Sequence, residues 1–212
     1  MLQAIIFDLD DTLVESKEGI KKYYSALFNH LGAALPDDDD VEAWTYLFTA
    51  PERMSMARFV DDSEDTWNRA VAFKQQLDLS LSIDSVTMKE GARDALQWAS
   101  ERYLLALGTG RGASTEPLLQ RLDINGYFQV IYTAVNSEKL KPDPWVVHEV
   151  MRQFALRDGE LLFVGDSAHD ISCAANAGIM SIAVGENWKF GPDNPDIALP
   201  DISHLIPALE KL

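Results

Sequence analysis

The chain has 212 residues and a single cysteine, Cys173, which excludes an internal disulfide and any zinc site built from several thiolates. Cys173 lies in the apolar helical stretch ISCAANAG and reads as an inert core thiol. Basic residues are scarce too. Eighteen Lys and Arg stand against 34 Asp and Glu, so the net charge is −16 and no basic stripe is available to neutralise the phosphates of a nucleic acid. Long apolar runs are missing: none approaches the roughly 18 residues of a membrane span. No basic region precedes the first apolar stretch, which is too short for the core of a signal peptide. The expectation is a cytoplasmic protein with no membrane or nucleic-acid partner. Its four histidines, His30, His148, His169 and His204, are scattered and suggest no metal cluster.

What is present is an ordinary globular balance, 47% hydrophobic and 25% charged, in a length that suits one domain with a modest insertion. Five apolar runs have strand length: QAIIFDL (3–9), YLLALGT (103–109), QVIYTA (129–134), ELLFVGD (160–166) and MSIAVG (180–185). They are near-continuous rather than alternating, the pattern of strands buried on both faces of a parallel sheet. From residue 91 they alternate with helical patterns, GARDALQWASER, STEPLLQRLD, PDPWVVHEVMRQF and HDISCAANAG, the last ending on Gly178. This predicts an open α/β sheet with helices on both faces.

Residues 16–86 break the alternation. KEGIKKYYSALFNHLG, DDVEAWTYLF, PERMSMARFV and SEDTWNRAVAFKQQLDL all have helical periodicity, and no convincing strand lies among them. The expected organisation is therefore an α/β core over 1–15 and 87–212, with a helical insertion over 16–86. An insertion after the first strand would sit over the ligand-binding edge of the sheet, a candidate lid. Within it, PDDDD (36–40) reads as a helix N-cap with favourable first-turn charge rather than a metal site. Arg53 and Arg58, with Trp44 and Tyr46, are candidates for recognising a ligand held at that edge; the competing role for the aromatics is the insertion's own core. GENWKFGPDNPDIALP (185–200) reads as a surface loop beside the site.

Ligands bind at the carboxyl ends of the strands in an open α/β sheet. Reading only those ends collects Asp8, Asp10 and Thr12, then Thr109, Gly110 and Arg111, then Lys139 and Lys141, then Asp166 and Asp170. Carboxylates gathered in this way suit a hard divalent cation, Mg2+ being the usual one beside phosphates. The cation offsets the repulsion that bare aspartates would suffer. One carboxylate can attack phosphorus, and a second two residues on can protonate the leaving oxygen and later activate water. Lysine, a hydroxyl and backbone N–H groups serve the equatorial oxygens of a transferring phosphoryl group. Arg111 would either touch phosphate or be solvated at a helix start. His169 is a passive loop residue.

These residues resemble the motifs of the haloacid dehalogenase-like (HAD) phosphohydrolases. FDLDDTLVES is similar to motif I, D-x-D-x-T after a strand; LLALGTG to motif II; KLKPDP to motif III; and LLFVGDSAHDISCAANAG to motif IV. The four occur in order and span nearly the whole chain. The resemblance, closest to the phosphoglycolate-phosphatase-like branch, implies a Rossmann-like doubly wound parallel sheet with an all-helical cap inserted after motif I. It implies Asp8 as nucleophile and Asp10 as general acid/base, with Thr109, Gly110 and Lys141 on the substrate phosphate. Mg2+ would be held by Asp8, the backbone carbonyl of Asp10, and Asp166, with Asp170 a further ligand or support. Lys141 fits motif III better than Lys139 by its spacing from Pro142. Asp10 favours phosphoryl transfer, because the dehalogenases themselves lack an acid there. Asp11 and Gly110 depart from the glycine and asparagine common at those positions.

The expected activity is a Mg2+-dependent phosphatase of a small phosphorylated metabolite: phosphoglycolate, a sugar phosphate or a nucleoside monophosphate. Alternatives are a phosphomutase of the β-phosphoglucomutase type and a non-catalytic binding protein, which would show decay of motif residues. The oligomeric state, monomer or homodimer, is not legible. GTGRGA (108–113) formally fits a dinucleotide fingerprint, but the acidic residue that motif expects about 20 positions on is missing.

Overall fold

Strands without polar alternation need cover on both faces, and the chain supplies it with helices between strands. The computed structural model describes residues 1–212. In chain order, β1 (Ala4–Phe7) is followed by a two-residue β2 (Val14–Glu15). Five helices come next: α1 (Lys17–Leu31), α2 (Val41–Thr49), α3 (Glu52–Phe59), α4 (Glu64–Gln76) and α5 (Ser80–Ile83). Then come β3 (Thr87–Met88), α6 (Ala92–Ser100), β4 (Leu104–Gly108), α7 (Thr115–Arg121) and β5 (Val130–Tyr132). The chain closes with α8 (Trp145–Phe154), β6 (Leu161–Gly165), α9 (Ala168–Ala177), β7 (Met180–Val184), β8 (Ile197–Leu199) and α10 (Leu205–Leu209).

Six strands form one parallel sheet in the order β5-β4-β1-β6-β7-β8. Chain order reverses direction at β1, which lies between β4 and β6, so the crevice that α/β sheets use for ligands opens at the carboxyl end of β1. Phe7 is level with Leu107 on one side and Val164 on the other. The segments leaving β1, β4 and β6 therefore start at one height, which is what brings their polar residues together. Ile5, Ile6, Phe7, Leu105, Leu107 and Phe163 are fully buried in these strands. Each such side chain contributes roughly 1.5–3 kcal/mol on burial.

The chain divides into two compact units, Met1–Glu15 with Thr87–Leu212, and Ser16–Val86. In the first, β2 and β3 pair antiparallel, Val14 opposite Met88 and Glu15 opposite Thr87. Lys89 adds a backbone bond from its N–H to Leu13 O at 3.0 Å and a side-chain bond to Asp11 O at 2.5 Å. The second unit has its own core of Tyr24, Leu27, Phe28, Leu31, Trp44, Leu47, Met56 and Ala70. Its helix ends follow sequence chemistry. Gly32 stops α1 at φ 74°, and the Asp40 carboxylate, from the acidic run, caps α2 by accepting from Ala43 N at 2.9 Å. Trp44 belongs to this core. Arg58 lies over the Tyr46 ring and pairs with Glu42, and Arg53 lies over Trp67 and pairs with Glu64, so both arginines are engaged within the unit.

One expectation is corrected. Residues 185–200, read as a surface loop, contain a 3-10 turn at Asn187–Phe190 and the edge strand β8, whose Ile197 pairs with Ile182 of β7. A three-residue strand behind a polar turn is too short to show periodicity. Two carboxylates pin the segment: Asp193 accepts from Ser172 Oγ at 2.5 Å, and Asp196 from Ser181 N at 2.8 Å.

No helix is long and apolar enough to cross a membrane. Cys173 is buried in α9 with Sγ 3.3 Å from Asp143 O, and burial pushes its thiol up to about 12. A disulfide reagent at neutral pH is expected to leave the folded protein unlabelled and to titrate one thiol per chain in denaturant. Prompt labelling of the folded chain would contradict this burial.

Candidate active site

Asp8 continues the ladder of β1, donating its backbone N–H to Val164 O at 2.9 Å. The chain then turns sharply, with Leu13 N and Val14 N both bonded to Leu9 O at 2.9 and 3.1 Å. Asp11 takes the left-handed conformation the turn demands, at φ 57°. Glycine enters that region freely, and aspartate is one of the few other residues that tolerates it. The turn brings Thr12 back beneath the strand end, where its hydroxyl donates to Asp166 Oδ1 at 3.1 Å and lies 3.4 Å from Asp8 Oδ2.

Lys141 reaches the same place from the segment after β5. Its three ammonium hydrogens have three acceptors: Asp8 Oδ1 at 2.7 Å, Asp170 Oδ1 at 2.6 Å and Gly108 O at 2.8 Å. Lys139 is exposed and pairs with Asp143 at 3.2 Å, so only Lys141 joins the cluster. Asp170 is fixed from the other side by a capping box at the start of α9. Its Oδ2 accepts from Ser167 N at 3.0 Å and Ser167 Oγ at 2.6 Å, while Ser167 Oγ accepts from Asp170 N. This packing is close enough to require glycine at 165, where an added Cβ would lie 2.4 Å from the Asp170 side chain.

After β4, Thr109 and Gly110 lie beside Lys141 in one recess, lined also by Tyr132 and Ser137. Thr109 Oγ1 accepts from Arg111 N at 3.1 Å, which leaves its hydroxyl proton to donate elsewhere. Arg111 is not solvated at the helix start, one of the two roles anticipated for it. Its buried guanidinium pairs with Asp10. Asn187, unnoticed in the sequence, donates to Asp166 Oδ2 at 2.7 Å. The one signal for it was position, just past the carboxyl end of β7. His169 lies in the first turn of α9, partly buried, and burial lowers its pKa.

Charge is unbalanced here. Burial pushes the Asp8 carboxyl up to about 7 against the pull of Lys141, and the charges of Asp170 and Asp10 add to the rise. Burial, then Asp170 and Asp8, likewise hold Asp166 well above the usual carboxylate range. Burial opposes the charge on Lys141, but Asp170 and Asp8 outweigh it and raise its pKa. Carboxylate oxygens of Asp8, Asp166 and Asp170 lie within 4.8 Å of one another, all buried, with only one ammonium among them. Hard oxygen donors carrying surplus negative charge in a buried place fit a divalent cation.

The sequence and the fold both have relatives. Residues 5–184 match the family profile described as haloacid dehalogenase-like hydrolase. A phosphoglycolate phosphatase of Photorhabdus laumondii is 28% identical over 221 residues, covering 97% of this chain and 91% of that protein. One from Pseudomonas syringae pv. tomato is also 28% identical, over 97% of this chain and 79% of that protein. The crystal structure of a HAD-superfamily hydrolase, subfamily IA, from Geobacter sulfurreducens superposes with a TM-score of 0.73 at 27% identity, covering 98% and 96% of the two chains.

Proposed function

Because the chain belongs to the haloacid dehalogenase-like hydrolases, we propose that it is a Mg2+-dependent phosphatase of a small phosphorylated metabolite, acting through an aspartyl-phosphate on Asp8. The observation that carries this reading is the Asp8–Lys141 contact at 2.7 Å, beside Thr109 at the switch point of the sheet. A carboxylate there is oriented by a cation that can also meet phosphoryl oxygens.

In the proposed reaction Asp8 attacks phosphorus and the bond to the ester oxygen breaks. Asp10 gives that oxygen a proton and leaves as a carboxylate. Asp10 then takes a proton from water, whose oxygen attacks phosphorus and frees inorganic phosphate and Asp8. Thr109 donates its hydroxyl and Gly110 its backbone N–H to the transferring group, and Lys141 would exchange one of its three present acceptors for a phosphoryl oxygen. Mg2+ would be held by Asp8, the backbone carbonyl of Asp10, and Asp166. Asn187 would fix the Asp166 carboxylate. Asp170, whose Oδ1 accepts from Lys141 and whose oxygens lie near those of Asp8 and Asp166, would be a further ligand or would support the lysine. When bound, the cation neutralises charge shared by the carboxylates and the phosphoryl oxygens. The helical unit Ser16–Val86 is proposed as the cap that selects the substrate.

The test is phosphate release from a panel of phosphoglycolate, sugar phosphates, nucleoside monophosphates and an aryl phosphate, with Mg2+ and with EDTA. The phosphoglycolate phosphatases among the relatives put that substrate first. Release is expected to fall at least about 100-fold in EDTA. Mg2+ at 100 times its Kd is expected to stabilise the fold by about 2.7 kcal/mol, read as a raised Tm. Equal release in EDTA overturns the metal requirement, and no release from any ester overturns the phosphatase reading.

A further inference from the structure

Asp10 lies past the end of β1, joined to Val14 by an isolated bridge, which does not by itself aim its carboxylate. Arg111 does so instead. Nε lies 3.1 Å from Asp10 Oδ1 and 3.0 Å from Oδ2, and Nη2 lies 2.5 Å from Oδ1. A fork of this kind fixes the plane of a carboxylate, which one hydrogen bond cannot do. The guanidinium is anchored in turn, because Nη1 donates to Ser114 Oγ at 3.1 Å, just before α7. The backbone N–H of the same residue donates to Thr109 Oγ1. One residue thus links the hydroxyl of the phosphate-binding turn to the carboxylate two residues past Asp8.

We propose that Arg111 is a positioning residue for Asp10, setting the direction in which Asp10 meets the leaving-group oxygen of a bound phosphate monoester. The inference rests on the acid/base role of Asp10 in the proposed function. Direct binding of substrate phosphate by Arg111 is the competing role. Its Nε–H and an Nη2–H are held by Asp10 and an Nη1–H by Ser114, and the side chain is buried, which argues against it. Lysine in its place would keep the charge and lose the fork.

A poor leaving group needs a correctly aimed acid, and a good one does not. The ratio kcat/KM reports steps up to departure of the leaving group and is blind to the later hydrolysis of the phosphoenzyme. The experiment therefore compares kcat/KM for the best alkyl monophosphate and for 4-nitrophenyl phosphate in wild type, Arg111→Ala and Arg111→Lys. Both variants are expected to lose about 100-fold on the alkyl ester, the scale of one general acid, and to stay within about threefold on the aryl ester. Equal losses on both esters would show that Arg111 serves the phosphate group and would overturn the proposal. Unchanged values on both would overturn it as well, as would full rescue by Arg111→Lys. If circular dichroism shows Arg111→Ala unfolded, Arg111→Lys decides alone. A wild-type chain that hydrolyses neither ester defeats the phosphatase reading itself, a separate result from any difference among the variants.

Discussion

Asp8→Asn is expected to lower turnover of every phosphate ester by at least ~10⁴-fold, the scale of losing a nucleophile that acts as part of a unit. The amide has no charge to drive attack on phosphorus. The fold should not suffer with it. Asp8 is held in a buried cluster against its own ionisation, as its carboxyl raised to about 7 shows, and asparagine removes one of three crowded carboxylates. Lys141 would keep Asp170 and Gly108 O as acceptors. The variant should therefore melt within a few degrees of wild type, or above it. Two measurements check this: steady-state release, and an acid-quenched single turnover probed for a hydroxylamine-labile phosphate on the chain. Wild type should yield that acyl phosphate and Asp8→Asn none. Activity above about 1% of wild type in Asp8→Asn would remove Asp8 from the nucleophile's role.

Lys141→Met is expected to cost both activity and stability. Methionine matches the length of the stem but leaves Asp8, Asp170 and Gly108 O without the ammonium they share. Breaking a buried pair by removing one partner costs about 3–5 kcal/mol, because the other charge stays buried. For a chain of this size each kcal/mol lowers Tm by about 2–4 °C, so a drop on the order of 10 °C is expected without metal. The pH dependence has a definite sign. Burial holds the Asp8 carboxyl at about 7 in the folded chain against an ordinary 3.8, so between those pH values the native state holds a proton that the unfolded chain has released. Its contribution to stability therefore falls as pH rises from about 4 to about 7 and is level above. Lys141 pulls that pKa down, so its loss moves the upper edge to higher pH. The deficit of Lys141→Met against wild type should be larger at pH 8 than near pH 5, where only the pairing with Asp170 is lost. A deficit independent of pH would assign it to packing rather than to uncompensated carboxylates.

Much of the architecture was legible because it depends on local pattern. Runs such as ELLFVGD are apolar without alternation, and that alone calls for a covered, parallel strand. The helix stops at Gly32 and Gly178 and the cap at Asp40 rest on single-residue chemistry that needs no tertiary partner. The residues gathered by reading only strand ends, from Asp8 to Asp170, are brought to one edge because a parallel sheet starts its outgoing loops at one height.

Partnership between distant side chains was not legible. Sequence spacing favoured Lys141 over Lys139, but only the path of the segment after β5 places one ammonium between Asp8 and Asp170 and the other on the surface. Arg111 looked like a solvated or phosphate-binding cation until its fork met Asp10, 101 positions away. Asn187 opens a short 3-10 turn in a polar stretch, and an asparagine there announces no partner. Composition and spacing decided which elements form and which chemical groups lie at their ends. Only the packed sheet decided which of those groups touch, since burial and repulsion act through space and leave no mark on the order of residues.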